Sequence, residues 1–162
     1  MKFTQVGNVK AEDATKLATV AVNGGMVQNA QQAFDAVAAI SDNAATDAAA
    51  ITKGLQKSMY AAKSVGVGFE DLVSMLAVIT SKTQLSGQIA GTTLATVFSR
   101  MGRLREKQVV YDENGNSTSA SDVAVALQHA GVQLYEGGSM RNAYDVLSDL
   151  GNVWEGLDDT QK

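Results

Sequence analysis

Apolar residues recur at helical spacing along most of the chain, most clearly between Gly66 and Lys107. Phe69, Leu72, Val73, Leu76 and Ile79 fall at the i, i+3, i+4, i+7 positions of one helix face. Ile89, Leu94, Val97, Phe98, Met101 and Leu104 line a second helix, with a turn between the two near Gln84 to Ser86. Ser86, Gly87, Ala90, Gly91, Thr92, Thr93 and Ala95 are interspersed, and side chains this small let another backbone come close. Three more helices are predicted upstream. Residues 10–22 put Ala14, Leu17, Ala18 and Ala21 on one side, and Asn23-Gly24-Gly25 stops them. Residues 26–40 follow, with Val27, Ala30, Phe34, Val37 and Ala38 inward and Ser41-Asp42-Asn43 as a polar break. A third helix takes Thr46 as its N-cap and Asp47 in its first turn, buries Ala48, Ile51, Leu55, Met59 and Ala62, and closes at Gly66.

The pattern changes after Lys107. Val109-Val110-Tyr111 reads as a short strand, Asp112 to Asn116 as a turn, and Ser117 to Ser121 as a mobile polar loop. A short helix over 122–130, with Val123, Ala126 and Leu127 inward, ends at Gly131. Val132 to Arg141 reads as a hairpin turning at Gly137-Gly138. The last helix, 142–157, takes Tyr144, Leu147, Leu150, Val153, Trp154 and Leu157 as its apolar stripe. The whole predicts a mainly α fold, a bundle of about six to seven helices with a small β-hairpin near the C-terminal end. Residues 1–107 are the helical core, with residues 108–162 packed on it in one domain. Asp158 to Lys162 stops without a cap, which suggests a cut inside a longer protein. Large anchors are concentrated at Phe69 to Leu104 and Trp154, so the Ala-rich residues 1–65 are expected to be the less stable part.

Composition narrows the chemistry. The chain has no Pro, which suits helices. It has no Cys, which removes disulfides and thiolate sites, and its single His129 cannot build a histidine metal site alone. No run approaches the ~20 apolar residues of a membrane span, and no signal-peptide pattern is present. The net charge of -4 hides an uneven distribution. Residues 1–99 balance seven Lys against seven acids. Arg100, Arg103, Arg105 and Lys107 face only Glu106, and residues 108–162 set Arg141 and Lys162 against nine acids.

No catalytic constellation emerges. His129 lacks a nucleophile beside it and reads as a surface or cap residue next to Gly131. Glu70-Asp71 and Asp158-Asp159 are neighbours pointing about 100° apart on a helix, so neither makes an acid pair. Counting twelve from Asp112 reaches Val123, so the acidic turn fails as a calcium loop. Gly87, Gly91 and Gly102 follow no strand, which favours close helix contact over a phosphate cradle. The cluster Arg100, Arg103, Arg105 and Lys107 admits three readings: cations at a helix C-terminus, pairing with the acidic end within or between copies, or contact with DNA. The aromatics and strongly basic balance of nucleic-acid surfaces are missing, so direct DNA binding is the least favoured.

Two blocks resemble phage tail tape measure proteins. The first is Gly66-Val67-Gly68-Phe69-Glu70-Asp71-Leu72, Ser81 to Ser86, Ile89-Ala90-Gly91-Thr92-Thr93-Leu94 and Val97-Phe98-Ser99-Arg100-Met101. The second spans Leu127 to Leu157, with Ala130-Gly131-Val132, Arg141 to Leu150 and Trp154. The motif positions with a structural role are Gly66, Phe69, Leu72, Gly91, Thr92, Phe98, Arg100, Gly131, Val146, Leu147, Leu150 and Trp154. The resemblance implies a structural virion protein that scaffolds tail tube assembly and sets tail length; some relatives carry cell-wall hydrolase domains, but no Glu, His or Cys constellation supports an enzyme or a cofactor here. It implies tail tube protein, tail assembly chaperones and tail tip proteins as partners, together with self-association. It also implies the tail lumen as location, with the host cytoplasm during assembly. The polar insert Asn114 to Ser121 and the lack of long heptad arrays depart from the family. The alternative is a non-enzymatic helical interaction module of another assembly.

Overall fold

A computed structural model describes residues 8–44, 47–106 and 122–157. The predicted strand at Val109-Val110-Tyr111, the turn at Asp112 to Asn116, the loop after it, Thr46 and the last five residues lie outside the described residues. Among the described residues the fold is mainly α, with seven α-helices and one small hairpin, as the periodicity predicts. The chain divides into two compact units, residues 1–98 and 99–162.

The first unit is organised around one helix. α1 is Ala11–Asn23, α2 Ala30–Asn43, α3 Ala48–Ser64 and α4 Phe69–Thr83; α5, Gly87–Glu106, contributes its part up to Phe98. α3 contacts α1, α2 and α4, and buries Ile51, Thr52, Leu55, Ser58, Met59 and Ala62. Leu17 and Ala21 of α1 and Val37 of α2 have no exposed surface, nor have Leu72, Val73 and Leu76 of α4. Gly66 takes a left-handed φ of 81°, which lets the Val67 and Gly66 amides return to the Ala62 and Lys63 carbonyls at 3.0 and 3.1 Å. Gly25 ends α1 in the same way, and the Lys63 ammonium of α3 donates to the Gly24 carbonyl, tying the two helix ends together.

Several boundaries differ from the expectation. α2 begins at Ala30 rather than Met26, because Asn29 caps it: its side chain accepts the Gln32 amide at 2.9 Å, and the Gln32 side chain accepts the Gln28 amide at 2.9 Å. Ser41-Asp42-Asn43 stays helical rather than breaking the chain. The N-cap of α3 is Asp47, which accepts the Ala49 amide at 3.0 Å. Ile89 is 53% exposed rather than inward; the buried line of α5 runs through Gly87, Ala90, Gly91, Leu94 and Phe98, one helical position away.

The second unit holds the end of α5, α6 (Asp122–His129), β1 (Tyr135–Glu136), β2 (Ser139–Met140), α7 (Ala143–Val153) and a 3-10 turn at Trp154–Gly156. The strands pair antiparallel, Tyr135 with Met140 and Glu136 with Ser139, around two glycines at positive φ. Gly131, at φ 82°, ends α6 and turns Val132 back so that its amide meets the Leu127 carbonyl at 2.8 Å. α6 buries Ala124 rather than Val123, which is 58% exposed, and Ala126 is exposed too. The α7 stripe is also rotated from the expected one. Ala143 and Val146 are buried, with Leu147, Leu150 and Val153 half-buried; Tyr144 and Trp154 face outward. Trp154 is 44% exposed and follows the end of α7, so it is no anchor of this unit.

Candidate interaction surface

The tightest feature of the first unit is the seam between α3 and α5. A Cβ on Gly91 would lie 2.7 Å from Gly54 Cα and closer still to its carbonyl oxygen. A Cβ on Gly87 would lie 2.8 Å from Ala50 Cα and nearer to its carbonyl. Gly54 has its own constraint: a Cβ there would meet Leu76 Cδ2 at 2.6 Å. Backbones therefore touch directly at two places four residues apart on each helix, as expected for Gly87 and Gly91 from the sequence. Beside the seam, the buried Ser58 hydroxyl donates to the Gly54 carbonyl at 3.0 Å. Thr52 Oγ1, also fully buried, has no hydrogen-bond partner among the described residues.

At the exposed start of α5, Ser86, Gln88, Ile89, Thr92 and Thr93 line a shallow depression of about 260 Å³. No titratable side chain lines it. The Thr92 hydroxyl donates to the Gln88 carbonyl at 2.9 Å, so it is engaged in its own helix. Ser86 caps that helix, its Oγ accepting the Ile89 amide at 3.4 Å.

The motif residues do not converge. Gly66 and Gly131 terminate helices, Phe69, Leu72, Phe98 and Val146 are buried, and Leu147 and Leu150 are half-buried. Gly91 sits in the seam, whereas Thr92, Arg100 and Trp154 are exposed. Arg100 and Arg103 make no ion pair among the described residues; Lys107 and the Arg105 side chain lie outside them. His129 is exposed at the end of α6, and Glu70 and Asp71 stand in the first turn of α4 as helix-end acids. Among the described residues no group of three metal-ligating side chains gathers, and no helix is long and apolar enough to cross a membrane.

The second unit has two polar joints that sequence spacing did not reveal. The Tyr135 hydroxyl donates to the Leu104 carbonyl at 2.6 Å, and burial pushes its pKa up. Arg141 donates to the Gln133 carbonyl at 2.9 Å and to Asp149 at 2.7 Å, and its bond to that carboxylate raises its pKa. Tyr135 and Leu104 are 31 residues apart, and Arg141 lies outside α7, eight residues from each of its partners, so neither joint belongs to one helix.

Close-seated helices, with polar groups spent on caps and joints, define a helical packing protein. The whole chain, residues 1–162, matches the family of phage-related minor tail proteins and belongs to it. Its role is therefore structural, in a phage tail. No solved structure matches the chain.

Proposed function

We propose that the chain is part of a tape measure protein, the ruler and scaffold on which tail tube subunits polymerise. The observation that supports this most is the family match over the full chain, with the two resembling blocks falling in the order expected. In this reading the segment works without catalysis, inside the tail lumen, after assembly in the host cytoplasm. Its partners are tail tube protein, assembly chaperones, tail tip proteins and further copies of itself. Direct DNA contact is not part of it. Most of the motif residues serve as packing and helix-end positions, with Thr92, Arg100 and Trp154 on the surface, and residues 1–107 and 108–162 work as one domain of a longer protein.

A ruler gains about 1.5 Å per helical residue, so this segment fully extended as one helix would span about 240 Å. Folded as short helices it contributes far less. In-frame deletion of the segment from the complete protein, followed by electron microscopy of tails, tests the reading. Shortened tails support a ruler that extends here, and failure to form tails supports a scaffold domain. Tails of normal length and number overturn the proposal.

A further inference from the structure

The break between α4 and α5 contains no helix-breaking residue. It consists of Gln84, Leu85 and Ser86, whereas α1, α3 and α6 are closed by glycines at positive φ, Gly25, Gly66 and Gly131. Gln84 nevertheless takes a left-handed φ of 58°, which a residue with a Cβ disfavours. The bonds that hold the break are local and exposed. The Gln84 side chain donates to the Ser81 carbonyl at 3.0 Å, the Thr83 hydroxyl accepts the Leu85 amide at 3.3 Å, and Ser86 Oγ accepts the Ile89 amide at 3.4 Å. In an unbroken helix the Leu85 and Ser86 amides would reach the Ser81 and Lys82 carbonyls instead. The buried lines on either side of the break are also in phase. Phe69, Leu72, Val73, Leu76 and Thr80 are buried on α4, and Gly87, Ala90, Gly91, Leu94 and Phe98 on α5. The second set is the first displaced by 18 residues, from 69 to 87 through 80 to 98. At about 3.6 residues per turn that displacement is about five whole turns. A straight helix through residues 84–86 therefore keeps both lines on one face. Straightening withdraws α5 from its own α3, and every copy carries the same seat at Ala50 and Gly54 against which Gly87 and Gly91 fit.

We propose that α4 and α5 straighten into one helix and that two copies of this chain then exchange α5, each seating Gly87 and Gly91 on Ala50 and Gly54 of the other. Short hinges under strain favour such an exchange, and it closes about a two-fold axis. The second copy is chosen by the hinge and the seat, independently of the tail role. A chain's own α5 competes at an effective concentration of about millimolar. Sedimentation equilibrium of the 162-residue chain, taken up to about millimolar after passage through partial denaturation, should therefore show a dimer. Gln84→Gly relieves the left-handed strain and disfavours the straight helix; about fivefold or more at each hinge lowers the dimerisation constant about 25-fold or more across two. Gln84→Ala keeps the strain, removes the bond to Ser81 and favours helix, so it should raise the constant. Position 84 is exposed, so both variants should fold. The chain has no Cys, so Glu70→Cys with Thr96→Cys, both at exposed positions, takes two spin labels. Diluted in unlabelled chain, the labels report one chain alone. Their backbone separation should be about 39 Å in the dimer, the length of a straight helix between them, and shorter in the monomer. A chain that stays monomeric, a dimer that keeps the short separation, or a dimerisation constant unmoved by Gln84→Gly overturns the proposal.

Discussion

Replacing Gly91 by Ala sets two opposed effects against each other. In an exposed helix interior Gly→Ala stabilises by about 1 kcal/mol, because Ala loses less backbone entropy. At Gly91 the new methyl would arrive 2.7 Å from Gly54 Cα and nearer to its carbonyl. Ordinary carbon contacts begin near 3.5 Å, so α3 and α5 must separate by about 1 Å. The obstacle is backbone inside a helix and cannot rotate aside. Overpacking of this kind costs about 1–3 kcal/mol or more. Separation also loosens the fully buried Ala90 and Phe98, and a gap of about 1 Å forfeits up to about half of each contact's attraction. The expected net effect is destabilisation by about 2 kcal/mol or more. Gly151→Ala is the control, since a Cβ there meets nothing within 4 Å; on α7 it should stabilise by about 0.5 kcal/mol. Denaturant unfolding followed by circular dichroism reads the first variant, and fluorescence of the single Trp154 follows the second unit. If Gly91→Ala proves neutral or stabilising, α5 is not seated on α3 at this distance.

Thr52→Val should raise stability by about 1 kcal/mol in the same denaturation assay, because it removes a fully buried hydroxyl with no partner while keeping the shape. Tyr135→Phe should cost about 1 kcal/mol at neutral pH by leaving the Leu104 carbonyl unpaired. Burial raises the Tyr135 pKa in the folded state, so its stabilising share is complete below about pH 10, the unfolded value, and is lost as pH rises beyond it. The wild-type second unit should therefore weaken in alkali more steeply than the Phe variant, read by Trp154 fluorescence across pH. Native-state hydrogen exchange should be faster in α2, which buries only Ala33 and Val37, than in α4, which buries Phe69, Leu72, Val73 and Leu76; equal protection would mean that the first unit opens all at once.

Much of the helical architecture was legible because helices announce themselves through a local period. The apolar line of α4 and the stop at Gly66 could be read directly, since both depend on residues a few positions apart. Errors arose where a face was assigned by residue size alone. Ile89 and Trp154 are large and apolar, yet the faces that pack run through Ala90 and Ala143. Close approach of two backbones selects small residues and turns large neighbours outward, which a hydrophobicity pattern reads the wrong way round. α2 was misjudged for another reason: Val27 is buried while lying before the N-cap, where a compact turn can bury a side chain as well as a helix can. The joints at Tyr135 and Arg141 were illegible, because the Leu104 carbonyl and the Asp149 carboxylate are brought to them by the fold alone.

Where ionisable groups are perturbed, they say what kind of work the chain does. Catalytic groups tend to be shifted together within one cleft. Here the shifts occur separately. Glu12 and Lys16 pair across one turn of an exposed helix. The Tyr135 phenol fastens a hairpin to the last turn of a helix, and Arg141 fastens the same hairpin to α7. Each perturbed group in the second unit holds one backbone segment at a set distance from another, as Gly54, Gly87 and Gly91 do in the first without any charge. The described residues thus spend their polar chemistry, like their small side chains, on fixing spacing between helices. That use suits a tail component that acts through the surfaces it holds in place.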